Sequence, residues 1–416
     1  MKLFLSILLI LNFIFSQKLL IPMDNAQSDH LKSYGLIYWA LEKKIDVEWL
    51  LNYRDGSFLI NANNQLANEA LIRGISYELI NTNSINEIYA TIDNNNMDIV
   101  LLEKLPKIAV YSPKDKQPWD DAVTLALTYA EIKYDLVFDH EVLTGELKKY
   151  DWLHLHHEDF TGQYGKFYKN YKNTSWYRKL ENDFQIIAKN HGYNSVPELK
   201  KAVAHKIKKY VSNGGFMFAM CSATDSFDIA LAALNVDIAE SVYDGTPAEK
   251  NYNSKLNFNN TIAFKDFNLY TSPNIYEFST IDLPPSHRPK PTGAEADYFT
   301  LFEFSAKWDQ VPTMLTQNHV SMINGFMGQT TGFNKDFLKN NILIMGEDAS
   351  INQAKYIHGN VGKGTFTFLG GHDPEDYKHF VGDPQTDLSL HRNSPGYRLI
   401  LNNVLFPAAK KKKRKT

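Results

Sequence analysis

The stretch Gly214-Gly215-Phe216-Met217-Phe218-Ala219-Met220-Cys221 constrains the fold of this chain more than any other segment. A glycine pair followed by a short, continuous apolar run is the pattern of a strand buried on both faces, as in a parallel sheet. Ahead of it, Leu199, Val203, Ile207 and Tyr210 recur at helical spacing, and Asn213-Gly214-Gly215 supplies a helix stop. After it, Ser222-Ala223-Thr224-Asp225 offers capping side chains for a helix through Phe227, Ile229, Ala230, Leu231 and Leu234. The segment reads helix, strand, sharp turn, helix, with Cys221 on the turn.

Cys221 is the one cysteine of the chain. Lys2, an apolar run from Leu3 to Phe15, and Ser16-Gln17 have the pattern of a signal peptide over residues 1–16. The run is shorter than the roughly 20 residues a membrane span needs. The expectation is a secreted or periplasmic protein. In an oxidising compartment a lone thiol cannot staple its own chain and is open to oxidation. Two readings remain: burial as a small apolar side chain, or a chemical use.

Other segments show the same rhythm. Strands are expected at Lys18 to Pro22, Asp46 to Leu51 and near Tyr77 to Ile80, with helices at His30 to Leu41 and Asn64 to Arg73. Further strands are expected at Lys107 to Tyr111, Tyr134 to Phe138 and Asp151 to His156, and a helix carries Ala122, Leu125, Ala126, Tyr129 and Ala130 on one face. Such alternation predicts an α/β fold with a doubly wound, mainly parallel sheet, and an additional N-terminal α/β unit. Ligands of such sheets gather at the carboxyl ends of the strands. The expected organisation is a signal peptide (1–16), the N-terminal unit (17–105), a larger α/β domain (106–409) and a basic tail (410–416). Within the domain, residues 241–300 form an irregular insertion, punctuated by Pro284-Pro285 and Pro289-Lys290-Pro291. Strands resume near Thr313 to Thr316, Met322 to Gly325 and Ile342 to Met345.

Composition limits the partners. With 44% hydrophobic residues the chain can bury a large core, and a net charge of -3 argues against wholesale nucleic-acid binding. The basic run Lys410 to Lys415 reads as a solvated tail, or as a peripheral contact with an anionic envelope surface.

Two constellations carry chemistry. At the turn, small residues two before and two after the nucleophile, here Ala219 and Ala223, would let Cys221 project at the sheet edge. The helix N-terminus behind it would favour a thiolate and a developing oxyanion. A late strand, Thr365 to Leu369, leads through Gly370-Gly371 to His372, Asp373 and Glu375, a base with carboxylates to orient it. In the second constellation His154, His156, His157, Glu158 and Asp159 crowd the end of another strand. With His372 and Asp373 they could hold a divalent metal; Glu158 is alternatively the acid partner of a Cys-His site. His156, His157 and Asp225 are the candidate binding residues. Gly162-Gln163-Tyr164-Gly165 with Phe167, Tyr168 and Tyr171 could line a sugar cleft, or pack in the core.

The order of strand, cysteine elbow and late strand ending in His and Glu resembles the class I glutamine amidotransferase superfamily, with its flavodoxin-like sheet, over roughly Lys107 to Asp376. The resemblance implies that Cys221 attacks an amide carbonyl, His372 transfers the proton and Glu375 orients His372. The family places its acid two residues after the histidine, whereas Asp373 is one after and Glu375 three after. Through Trp152 to Asp159 and Pro118-Trp119-Asp120-Asp121 the whole chain also resembles a family of secreted bacterial proteins named asparagine synthetase B. Residues for that reaction are missing: Lys2 follows Met1 where a cysteine would stand, and no Ser-Gly-Gly-x-Asp-Ser run occurs. The function expected is therefore an exported thiol-dependent amidase or acyl-transfer hydrolase, without a cofactor, acting on a small-molecule, peptide or glycan substrate. The alternatives are a non-catalytic sugar- or peptide-binding protein and a hydrolase that needs a divalent metal.

Overall fold

The structure is a computed structural model that describes residues 17–113, 121–282, 294–313 and 315–410. The expected signal peptide, Pro118 to Asp120, the proline punctuation at 284–291 and the basic tail beyond Lys410 lie outside the described residues.

The N-terminal unit runs β1 (Lys18–Ile21), α1 (His30–Glu42), β2 (Val47–Leu51), β3 (Ser57–Asn61), α2 (Asn64–Arg73), β4 (Glu78–Ile80), α3 (Thr82–Asn94) and β5 (Asp98–Leu102). Its sheet has the order β4-β1-β3-β2-β5, and every pairing in it is antiparallel. Side chains at Asp29, Asn63 and Asn81 cap the three helices by accepting N–H bonds from the first turn.

The second sheet begins with β6 (Ile108–Tyr111), α4 (Ala122–Tyr129), β7 (Asp135–Val137), α5 (Asp139–Leu143) and β8 (Trp152–Leu155). After α6 (Tyr168–Tyr171), α7 (Ser175–Asn190) and α8 (Val196–Ser212) come β9 (Phe216–Met220) and α9 (Ser222–Ala232), followed by α10 (Ser241–Asp244). Residues 245–297 then carry only short turns and isolated bridges among the described residues. The remaining elements are β10 (Tyr298–Leu301), β11 (Met322–Asn324), β12 (Phe333–Asn334), β13 (Leu343–Asp348), β14 (Gln353–Val361), β15 (Gly364–Leu369) and α11 (Pro395–Val404).

This architecture corrects the expected doubly wound, mainly parallel, flavodoxin-like sheet. The ten-stranded sheet has the order β11-β10-β13-β14-β15-β9-β8-β6-β7, with β12 against β14. From β11 to β15 all pairings are antiparallel; β9 is parallel to both β15 and β8, and β6 to both β8 and β7. The physical reason lies in the connections. Gly362-Lys363 joins β14 to β15 in a tight hairpin, and Ala349 to Asn352 joins β13 to β14. Parallel neighbours would need a crossover of a dozen residues or more. No strand forms at the expected Thr313 to Thr316 among its described residues.

Two buried cores flank this sheet. Trp152, Phe218, Phe216 and Met220 pack on one face with α4, α11 and the N-terminal unit, while Leu153, Leu155, Met217 and Ala219 pack on the other with α8 and α9. Each large aliphatic or Phe side chain so buried stabilises the fold by roughly 1.5–3 kcal/mol. In the second core Lys200 is fully buried. Its Nζ donates to both Asp139 oxygens, at 3.1 and 3.0 Å, and lies over the Phe138 and Phe184 rings. Among the described residues no helix is long and apolar enough to cross a membrane.

Candidate functional site

Because β8, β9 and β15 run parallel, their carboxyl ends share one edge of the sheet. Register places Leu155 beside Ala219 and Leu369 beside Met220. The residues that follow, His156, Cys221 and Gly370 to His372, therefore meet. Backbone bonds fix them: the Cys221 N–H donates to Gly371 O at 3.2 Å and the Ala223 N–H to His156 O at 3.0 Å.

Cys221 stands at the sharp turn expected, with φ 49° and ψ -141°. A non-glycine residue pays for that backbone region, and Ala219 and Ala223 beside it are fully buried. The thiol is itself buried, and the Gln329 N–H donates to its Sγ at 3.4 Å. Burial pushes the thiol up to about 11, although backbone N–H groups of Gln329, Ser222 and Thr330 act in the opposite sense. The resting thiol is protonated at neutral pH.

His372 is set by the glycine before it. Gly371 has φ 96°, and a Cβ there would lie 2.3 Å from the Phe326 ring. The His372 ring meets His156 edge-on, with centroids 4.5 Å apart, and stacks on His379 at 4.7 Å. His379 in turn shares a 2.7 Å bond with Asp376. The ligand atoms of His156, His157 and His372 all lie within 4.8 Å of one another. A second group, formed by Asp121, His154 and His156, meets the same limit and shares His156. A third is Asp376, His379 and Asp383. These side chains can hold a metal ion.

Asp121 is the N-cap of α4, where Oδ1 accepts from the Val123 and Thr124 N–H groups at 2.7 and 3.0 Å. Its oxygens also face His154 Nε2 at 3.4 Å and His156 Nδ1 at 3.5 Å. Burial alone would raise its carboxyl, but His154 and His156 hold it well below the usual range. Burial pushes His156 and His372 well below the ordinary imidazole range. The cluster is thus a buried carboxylate beside several imidazoles, side chains of the type that ligate a cation.

The other expected residues are placed as follows. Glu375 pairs with His391 at 3.0 Å. Asp373 accepts the Glu375 N–H at 2.9 Å and the Thr386 hydroxyl at 2.7 Å. Glu158 lies with His157 on a cavity of about 30 Å³, beside Asp159, Tyr164, Gly165 and Phe167; burial pushes its carboxyl up to about 8. Asp159 anchors its own loop, accepting from the N–H groups of Thr161, Gln163 and Gly165. Asp225 accepts from the Thr330 hydroxyl at 2.7 Å, behind the cysteine. The tyrosine-rich stretch packs on itself, with Tyr164 against Tyr177, Phe184 and Tyr243. A much larger groove, about 900 Å³, lies at the opposite ends of the strands, by Asp151, Gly214, Phe216 and Thr365.

Sequence reasoning missed Asp121 as a site residue, and it missed Gln329 and Thr330. The signal for Asp121 was local: an aspartate immediately before a helical apolar pattern is an N-cap, and N-caps of helices after parallel strands face the carboxyl edge. For Gln329 and Thr330 no comparable signal exists.

No family model and no curated protein matches this chain. Among solved structures it is similar to the Cytoplasmic Protein STM3548 from Salmonella typhimurium, at 12% identity and TM-score 0.34, over 74% of this chain and 100% of that one. The Cytoplasmic Protein STM1381 from Salmonella typhimurium LT2 gives 13% and 0.36, over 73% and 100%. A beta-galactosidase from Bacillus circulans sp. alkalophilus gives 11% and 0.27, over 65% of this chain and 29% of that one. Scores this low establish neither a shared family nor a shared activity.

Proposed function

We propose that this protein is a metal-dependent hydrolase acting outside the cytoplasm on an amide or ester, in a peptide, amino-acid derivative or glycan fragment. One observation carries the reading. His156 is 1% exposed, neither of its ring nitrogens has a hydrogen bond among the described residues, and it converges with His157 and His372. Unbonded buried polar atoms are costly, and a cation offsets that cost. Three protein ligands rather than four are the pattern of a catalytic zinc site, which keeps a position open for water or substrate. A cation bound there supplies an activated water and polarises a carbonyl oxygen. His156, His157 and His372 would hold it; Glu158, on the same cavity as His157 and kept protonated at neutral pH by burial, would donate a proton to the leaving group. The test is hydrolysis of a panel of chromogenic esters and amino-acid amides by chelator-stripped protein. Activity restored by Zn²⁺ or Mn²⁺ and absent in His157→Ala is expected. Activity indifferent to chelation overturns the reading.

A second reading, acyl transfer through Cys221, is favoured by the strained turn at that residue. In it His372 takes the thiol proton as Cys221 attacks the carbonyl and passes that proton to the leaving amine as the C–N bond breaks, and water then cleaves the thioester to release the acid and restore the thiol. Iodoacetamide labelling of Cys221 that is fast at neutral pH and slows in His372→Ala would favour this reading instead.

A further inference from the structure

Resting on the metal reading above, we infer that the site holds two divalent cations bridged by the imidazole of His156: one on Asp121, His154 and His156, the other on His156, His157 and His372. Three observations carry it. First, the single imidazole belongs to both ligand groups. Its Nδ1 faces Asp121, and in the bridged arrangement Nε2 would serve the ion shared with His157 and His372.

Second, the spacing fits a shared ion better than a shared proton. The gaps are 3.4 Å from Asp121 Oδ2 to His154 Nε2 and 3.5 Å from Asp121 Oδ1 to His156 Nδ1. Direct N–H···O bonds fall at roughly 2.7–3.2 Å. Two ligand atoms on one tetrahedral ion, with bonds of about 2.0–2.2 Å, stand roughly 3.3–3.6 Å apart.

Third, the tautomer of His154 is fixed from behind. Its Nδ1 lies 3.1 Å from Phe218 O, so Nδ1–H donates to the carbonyl and the Nε2 lone pair is turned to Asp121. A carbonyl partner on the far nitrogen is the usual support of a metal-bound imidazole. Without a cation, that lone pair meets a carboxylate oxygen in a largely buried place. Protonating both imidazoles instead would set two buried cationic rings 5.5 Å apart.

The bridge is an imidazolate, so binding of both ions releases the His156 ring proton to solvent and adds none to the protein. The full chain, stripped with chelator and loaded with Cu²⁺, tests this by metal content and electron paramagnetic resonance. Two ions per chain are expected, with a resonance intensity far below that of two isolated Cu²⁺ because the bridge couples their spins. Asp121→Asn keeps the helix cap, since asparagine caps as well as aspartate; it should retain one ion and regain the full signal of one Cu²⁺. His154→Gln should do the same. One ion in the wild type that is lost in His372→Ala overturns the two-ion inference and leaves the single-metal reading standing. Two ions with a full, uncoupled signal overturn the bridge. No bound ion overturns both.

Discussion

The carboxylate of Asp121 faces Nδ1 of His156 at 3.5 Å, joining the N-cap of α4 to the end of β8. The same carboxylate caps a helix and completes an imidazole cluster. These two roles separate experimentally, because a cap needs only a side-chain oxygen whereas a cation needs the charge.

Gly371→Ala should damage the site from outside it. A Cβ there would clash with Phe326, and φ 96° is a conformation that alanine adopts with strain. We expect a stability loss of roughly 1–3 kcal/mol together with weakened metal affinity, since His372 follows directly. Chemical denaturation and a zinc titration of the variant check both; unchanged zinc affinity would mean that His372 is not a ligand.

Lys200→Met strands Asp139 in the core. Removing one partner of a buried pair costs about 3–5 kcal/mol, and both side chains are essentially inaccessible. The double variant Lys200→Met, Asp139→Asn should recover much of that loss. Urea unfolding midpoints measure it, and a single-variant loss near zero would contradict the packing described.

Asp225 makes stability fall as pH rises. Burial pushes its folded pKa up to about 8, while the unfolded carboxyl titrates near the ordinary value of 3.8. Between those values the unfolded chain has lost the proton that the folded chain keeps. Its stabilising contribution is therefore full below pH 3.8 and is lost as pH rises towards 8. Its Oδ2 has no hydrogen bond among the described residues. In Asp225→Asn the difference in unfolding free energy between pH 5 and pH 8 should shrink; an unchanged pH profile would show that the carboxyl is ionised in the fold.

Cys221 should label slowly with iodoacetamide at pH 7, with a rate that is still climbing at pH 10, because burial holds the thiol near 11. A rate midpoint near 7 would show an activated thiol and favour acyl transfer over the metal centre.

Much of this site is legible in the sequence. The glycine pair, the apolar run to Met220 and the caps after Cys221 define a strand and a turn by local chemistry. Two-residue alternation along β8 brings His154 and His156 to one face. The antiparallel half is hidden for a physical reason. Strand β14 is buried for most of its length yet carries Lys355, whose Nζ donates to Phe326 O, and His358, whose Nδ1 lies 2.9 Å from the Thr367 hydroxyl. Its pattern therefore does not read as a central strand. The meeting of Asp121 with His154, and of Gln329 with Cys221, depends on chain-distant packing that no window of sequence contains.

The most direct measurement is a zinc titration of chelator-stripped protein followed by thermal unfolding, for the wild type, His156→Ala and His372→Ala. A ligand at a hundredfold excess over its Kd stabilises the folded state by about 2.7 kcal/mol. The melting temperature is expected to rise with zinc in the wild type, to stay flat in His156→Ala, which removes the imidazole common to both ligand groups, and to rise by less in His372→Ala. A wild-type midpoint indifferent to zinc, or an equal rise in all three proteins, would contradict the metal reading.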